Sequence, residues 1–270
     1  MEEKSLGRSF LILSISQILV KILSAAYMPL LRAAIGKEAL GVYNASYNIF
    51  IFILAITSMG AQPAVMKVVS EFTALERHGD AYRAMRLGRK YLTIIGVVST
   101  IIFMIVAEPL ATLFHWEQSV WSMYFLAPTI LFSCILAAYR GYLQGVEEMK
   151  TLAISQVLEQ IVNVVLSLMF AFLLINISIE WGSAGGTIGT TIGAIVAIVY
   201  ISFMYEKYNY SNEVNVDAES KKRISDKHII RKLIRYGVPI VLVATMQNAG
   251  NLVDTFLVKG RLLASGFNNS

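Results

Sequence analysis

An all-α, polytopic membrane bundle is the fold class this sequence predicts, and three features predict it. Hydrophobic residues make up 56% of the 270-residue chain, and mean hydropathy is +0.61. Charged residues reach only 15%, where a soluble domain carries about 25%. Apolar runs of about 20 residues, enough helix to cross a hydrocarbon core of about 30 Å, recur along the chain.

The first run, Phe10–Leu31, follows Lys4 and Arg8. It is too long for the core of a signal peptide and no clear cleavage signal follows, so it reads as a retained first span. Further spans are expected at Ala39–Ala61, Leu87–Ala107, Val120–Leu143, Leu152–Asn176, Thr187–Tyr205 and Leu233–Val258. Short connections make neighbours antiparallel. With the N-terminus in the cytoplasm, most of the 23 basic residues fall on the inner side, among them Arg77, Arg83, Arg86, Arg89, Lys90, Arg140, Lys150 and the run Lys221–Arg223. Only Arg32 and Lys37 fall in the first three outer loops. This is the positive-inside pattern, and it predicts the cytoplasmic membrane with a cytoplasmic N-terminus.

Two inner segments mix apolar and charged residues. Pro63–Tyr91 has the spacing of an amphipathic helix, either interfacial or solvated. Glu206–Arg235 starts polar and ends basic, as a linker between bundles would. The domain reading is therefore residues 1–205 as an N-terminal bundle of six spans, 206–231 as a basic cytoplasmic linker, and 232–270 as the first span of a second bundle. An odd last span suggests a truncated product.

Several chemistries find no support. The single cysteine, Cys134, excludes an internal disulfide framework. His78, His115 and His228 lack metal-ligand spacing. No GxxxxGK[ST] phosphate loop occurs, and the +5 charge is local and needs no nucleic acid. No cofactor is expected.

Polar stripes interrupt the spans instead. Ser14, Gln17, Lys21, Ser24 and Met28 recur at helical spacing in the first, and Arg32 continues the series. The second carries Gly41, Asn44, Asn48, Ala55, Ser58 and Gln62; the fifth, Gln156, Gln160, Asn163 and Ser167 with Glu159 beside them; the seventh, Gln247, Asn251 and Asp254. Lipid cannot satisfy such groups, so the stripes face one another or a water-filled cavity. For the amides, interhelical bonding is one reading and ligand binding the other.

Lys21 is the costly residue, since a cation at bilayer depth costs about 3 kcal/mol. It marks a pathway or binding site, or it pairs with Asp254, or it snorkels. Asp254 is either a cation or proton site or the lysine's partner. Arg32 sits at a helix end, where snorkelling competes with a binding role. Glu159 is explained by solvation or by a pair with Arg140 or Lys150. In the sixth span Gly185, Gly189, Gly193 and Ala197 form a small-residue ridge for close helix packing. One common shift carries Gln17, Lys21 and Ser24 onto Gln247, Asn251 and Asp254, as if the seventh span restarted the first.

The stretch Leu19–Phe72 resembles the opening of the stage V sporulation protein B-like polysaccharide-export flippases. These belong to the multidrug/oligosaccharidyl-lipid/polysaccharide superfamily, with MATE-like and MurJ-like members. "RGYLQG" (Arg140–Gly145), "SQVLEQ" (Ser155–Gln160), "YGVPI" and "NLVDTFLVKGRLLASGF" continue the resemblance in order. It implies two six-helix lobes around a cavity with alternating access; this chain would supply the N-terminal lobe and the first helix of the second.

The implied activity is flipping of lipid-linked oligosaccharides, including cell-wall precursors, in polysaccharide biosynthesis or sporulation, without covalent chemistry. The implied partners are a lipid-linked sugar with an anionic phosphate or pyrophosphate, the bilayer and a second lobe. Lys21 is the best counterpart of the family's cationic cavity residues, with Arg32 second. Gln17, Ser24, Asn44, Asn48, Gln160, Asn163, Gln247 and Asn251 would bond the sugars, and Asp254 is the candidate for Na⁺ or H⁺ coupling. The chain carries fewer arginines in its first two spans than MurJ-like members, so no particular sugar is implied. A cation-coupled multidrug exporter of the same superfamily and a non-transporting membrane scaffold are the alternatives.

Overall fold

The computed structural model describes residues 2–207 and 224–264, and every regular element in them is helical. Helix α1 runs Glu2–Thr57 and bends at Gly36, where φ is +79°. A Cβ would make that conformation costly, and this one glycine divides α1 into limbs 2–35 and 37–57, matching the first two expected spans. Helix α2 (Ala61–Ala74) is followed by α3 (His78–Leu113), a 3-10 turn at Glu117–Ser119, α4 (Val120–Gly145), α5 (Met149–Leu174), α6 (Ile179–Lys207) and α7 (Asp226–Ala264). At about 1.5 Å per residue, the 26 residues of α4 or α5 exceed the thickness of a hydrocarbon core.

Five stretches of the described residues are long and apolar enough to cross a membrane: Leu11–Ala74, His78–Leu113, Glu117–Gly145, Met149–Leu174 and Ile179–Tyr205. The first contains two expected spans. The seventh expected span lies in α7, which has the length but not the apolar composition to count among the five. Helix α6 begins eight residues before the expected Thr187, because Gly182 and Gly185 press onto α5 and carry the helix outward. The expected linker falls largely outside the described residues, and its last part, from Asp226, is already helical.

Three apolar clusters hold the bundle. Val68, Phe72, Met85, Leu143 and Ile201 join α2, α3, α4 and α6. Ile49, Phe50, Phe103 and Leu126 join the second limb of α1 to α3 and α4. Tyr27, Leu31, Tyr43 and Ala171 pack both limbs of α1 against α5. Helix α2 thus turns Ala64, Val65, Val68, Val69 and Phe72 inward, so the first part of the amphipathic segment packs into the bundle along its apolar face. The small-residue ridge on α6 meets α5 as its spacing predicts. A Cβ at Gly185 would stand 2.6 Å from the Phe170 carbonyl oxygen, and one at Gly193 2.7 Å from that of Glu159.

Large apolar side chains face outward on α3 and α5, including Ile94, Ile101, Ile105, Val165 and Phe172. An apolar exterior of this extent belongs to a protein embedded in lipid. Trp116, Trp121 and Trp181 gather at one end, Trp121 stacked on Trp181 at 5.2 Å. The basic residues Arg77, Arg83, Arg86, Arg89 and Lys150 lie at helix ends on the opposite side.

Candidate functional site

The first limb of α1 turns Tyr27, Leu31 and Ile35 into the bundle and leaves Lys21 on its exposed side. The Tyr27 hydroxyl donates to the Gly186 carbonyl at 2.7 Å, which fixes the rotation of the limb against α6. Lys21, Gln17, Ile18, Ile22 and Ala25 line an open hollow of about 330 Å³. Among the described residues Lys21 makes no hydrogen bond or ion pair, and none joins it to Asp254. The ammonium group therefore stands without a permanent counter-charge.

Gln17 couples this hollow to the bundle: its amide donates to the Gln156 side-chain carbonyl at 2.5 Å. That bond joins the stripes of the first and fifth spans. Gln156 lies one turn before Glu159 and Gln160 on α5. Glu159 accepts from Arg140 Nη2 at 2.6 Å, and Arg140 Nε donates to Ser155 Oγ at 3.2 Å. A turn further, Asn163 Oδ1 accepts from Ser167 Oγ and Thr190 Oγ1, each at 3.1 Å. At the start of α2, Gln62 donates to Gln144 at 3.0 Å. These groups would be costly in hydrocarbon, and the network satisfies them inside protein.

The remaining expected site residues are dispersed. Ser24 is exposed and its hydroxyl returns to the Val20 carbonyl at 2.9 Å. Arg32 and Asn44 are exposed, while Asn48 and Gln160 are half-buried. Gln247, Asn251 and Asp254 are exposed on α7, and among the described residues Gln17 bonds Gln156 and Ser24 bonds Val20 rather than α7. Helix α7 instead docks near the α1–α2 junction, where Gly60 meets Gly237 and Val241. There Lys232 Nζ and the Tyr236 hydroxyl both bond Glu71, at 2.8 and 2.6 Å.

Sequence reasoning missed Gln144, Ser155 and Thr190 as partners. The signal for the first two was present, since both sit in the quoted RGYLQG and SQVLEQ segments. Thr190 was hidden by the glycine ridge around it. A second hollow of about 300 Å³, bounded by Ser58, Gln62, Ser133, Arg140 and Glu159, was not foreseen as a pocket, because its walls come from three separate segments.

The chain matches the family described as "Polysaccharide biosynthesis protein" over residues 6–266. It is 27% identical over 213 residues to stage V sporulation protein B of Bacillus subtilis (strain 168), covering 77% of this chain and 40% of that protein. It is 22% identical over 280 residues to the lipid II flippase MurJ of the same organism, covering 98% and 51%. This chain thus spans about half the length, or less, of these curated relatives. Among solved structures, the inward-facing conformation of a multidrug resistance MATE family transporter of the MOP superfamily superposes with a TM-score of 0.68 at 16% identity, over 90% of this chain and 55% of that one. The outward-facing conformation gives 0.67, also at 16%, over 96% and 56%.

Proposed function

The chain belongs to the polysaccharide biosynthesis protein family, and from that premise we propose that it forms the first lobe of a flippase for lipid-linked, phosphate-bearing sugars. The reading places it in the cytoplasmic membrane with its N-terminus inside. The gathering of arginines at the end opposite the tryptophans supports that orientation, since basic residues favour the cytoplasmic side.

The observation that carries the proposal is Lys21, exposed on α1 beside an apolar hollow and without a hydrogen bond or ion pair among the described residues. A group that costs about 3 kcal/mol to hold at bilayer depth and has no protein counter-ion is suited to a transient one. A phosphate 4 Å away would return about 4 kcal/mol at an effective dielectric near 20, and a lysine meets phosphate as a point charge without a fixed fork geometry. Ile18 and Ile22 beside it offer the polyprenyl tail an aliphatic wall. A second lobe would close the other side of the cavity and rock against this one. Transport of this kind breaks no covalent bond, so the protein is a carrier and not an enzyme. Asp254 on α7 is the carboxylate assigned to Na⁺ or H⁺ coupling in this reading. A cationic drug would be repelled by Lys21, which sets the multidrug alternative behind.

In proteoliposomes of the complete transporter, Lys21→Ala should reduce translocation of a fluorescent lipid-linked sugar at least tenfold while helicity and thermal unfolding stay unchanged. Wild-type flipping by a folded Lys21→Ala protein would remove the lysine's role. Efflux of cationic dyes by that protein, indifferent to the substitution, would establish the exporter instead.

A further inference from the structure

The geometry points to the second hollow, between the α1–α2 junction and helices α4 and α5, as a sugar-binding pocket that takes a neutral polyhydroxylated head group. It rests on the flippase reading only for the source of the sugar, because the pocket's chemistry stands on its own residues.

Three segments build it. Ser58 and Gln62 come from the α1–α2 junction, Ser133 and Arg140 from α4, and Glu159 from α5, with Leu136 as an apolar wall. At about 300 Å³ it lies at the small end of ligand pockets. Its polar groups are held in place yet keep free capacity. Arg140 is fixed by Ser155 and Glu159 through Nε and Nη2, leaving Nη1 without a protein partner among the described residues. Glu159 is engaged through Oε2 and Gln62 through its amide nitrogen, so one oxygen of each is available to accept. The Ser133 hydroxyl makes no bond within the described residues.

Charge decides the ligand class. Arg140 and Glu159 compensate each other, so a cation entering the pocket meets a guanidinium and an anion meets a carboxylate. A neutral ligand with adjacent hydroxyls can use both, donating to Glu159 and Gln62 and accepting from Arg140 and Ser133. The apolar wall then covers its C–H face. The pocket also connects to the cationic hollow. Lys21 stands one turn from Gln17, Gln17 is bonded to Gln156, and Gln156 stands one turn from Glu159.

The test uses the 270-residue chain in nanodiscs and a panel of methyl glycosides at tens of millimolar. Saturation transfer from protein to at least one glycoside is expected. Ser133→Phe, which fills the pocket, should reduce it at least fivefold, and Lys21→Ala should leave it intact. Where Ser133→Phe does not fold, Ser133→Cys in a Cys134→Ala background keeps the volume. Bound glycoside should then slow modification of the new thiol by a small methanethiosulfonate at least threefold.

Transfer to no glycoside, transfer that survives a folded Ser133→Phe, or transfer lost only in Lys21→Ala would each overturn the assignment. So would protection of the thiol by Na⁺ or K⁺ alone, which would make this a cation site. Failure of Lys21→Ala to impair flipping leaves these outcomes unaffected, so the two readings fall separately.

Discussion

Two charges in this bundle are treated in opposite ways. Lys21 stands on the exposed side of α1 with Gln17, Ile18, Ile22 and Ala25 around it and no acid in reach. Arg140 faces α5, where Glu159 and Ser155 wait one turn apart and hold it at 2.6 and 3.2 Å. One site is a standing positive charge and the other is electrically closed. In the reading proposed above the first is the anion site; the second is a neutral surface of donors and acceptors. The number of polar side chains at the two places is a poor guide to this difference. What separates them is whether the neighbouring helix presents a counter-charge.

The sharpest way to break that comparison is to remove the counter-charge. Glu159→Leu should destabilise the protein by about 3 kcal/mol, because it strands a largely buried guanidinium. Arg140→Met combined with Glu159→Leu should recover most of the loss, read by unfolding in a mixed-micelle denaturant series. A double variant as unstable as the single one would mean that the pair is not a closed unit.

The pair also depends on α5 staying pressed to α6. Gly189→Val, whose Cβ would meet the Asn163 carbonyl and Ser167, should cost about 2 kcal/mol by overpacking. A variant as stable as the parent would show that the ridge does not set the spacing. Glu71 is an intermediate case, paired with Lys232 but near the protein surface. Glu71→Gln should cost less than about 1 kcal/mol, and a larger loss in the same unfolding assay would move that contact into the class of Arg140. Smallest of all, Lys21→Met should change stability by no more than about 0.5 kcal/mol while still abolishing flipping. A loss approaching that of Glu159→Leu would show that the lysine has a structural partner after all.

Much of the fold was legible in the sequence. Runs of about 20 apolar residues located the membrane helices, the glycine ridge of α6 identified its tight contact with α5, and the pair available to Glu159 included Arg140. Legibility failed where elements meet. Pro63–Tyr91 has a helical pattern, but no pattern states that Val68 and Phe72 are buried by α3 and α4 rather than by lipid. The fifth-span stripe was visible as Gln156, Gln160 and Asn163, yet its partners on other helices were not. Where the seventh span would dock could not be read from its stripe; α7 packs on Gly60 through Gly237 and Val241, and on Glu71 through Lys232.

What the amino-acid sequence determined by itself is periodic and local: the helical class, the positions of the long apolar helices, and the clustering of basic residues near particular helix ends. Hydropathy and helical spacing suffice for these because each depends on one segment and its solvent. Tertiary structure alone decided which charges are compensated and where hollows remain. Both depend on the rotation and crossing of helices distant in the chain, and those are fixed by close contacts such as Gly185 on Phe170 and Tyr27 on Gly186.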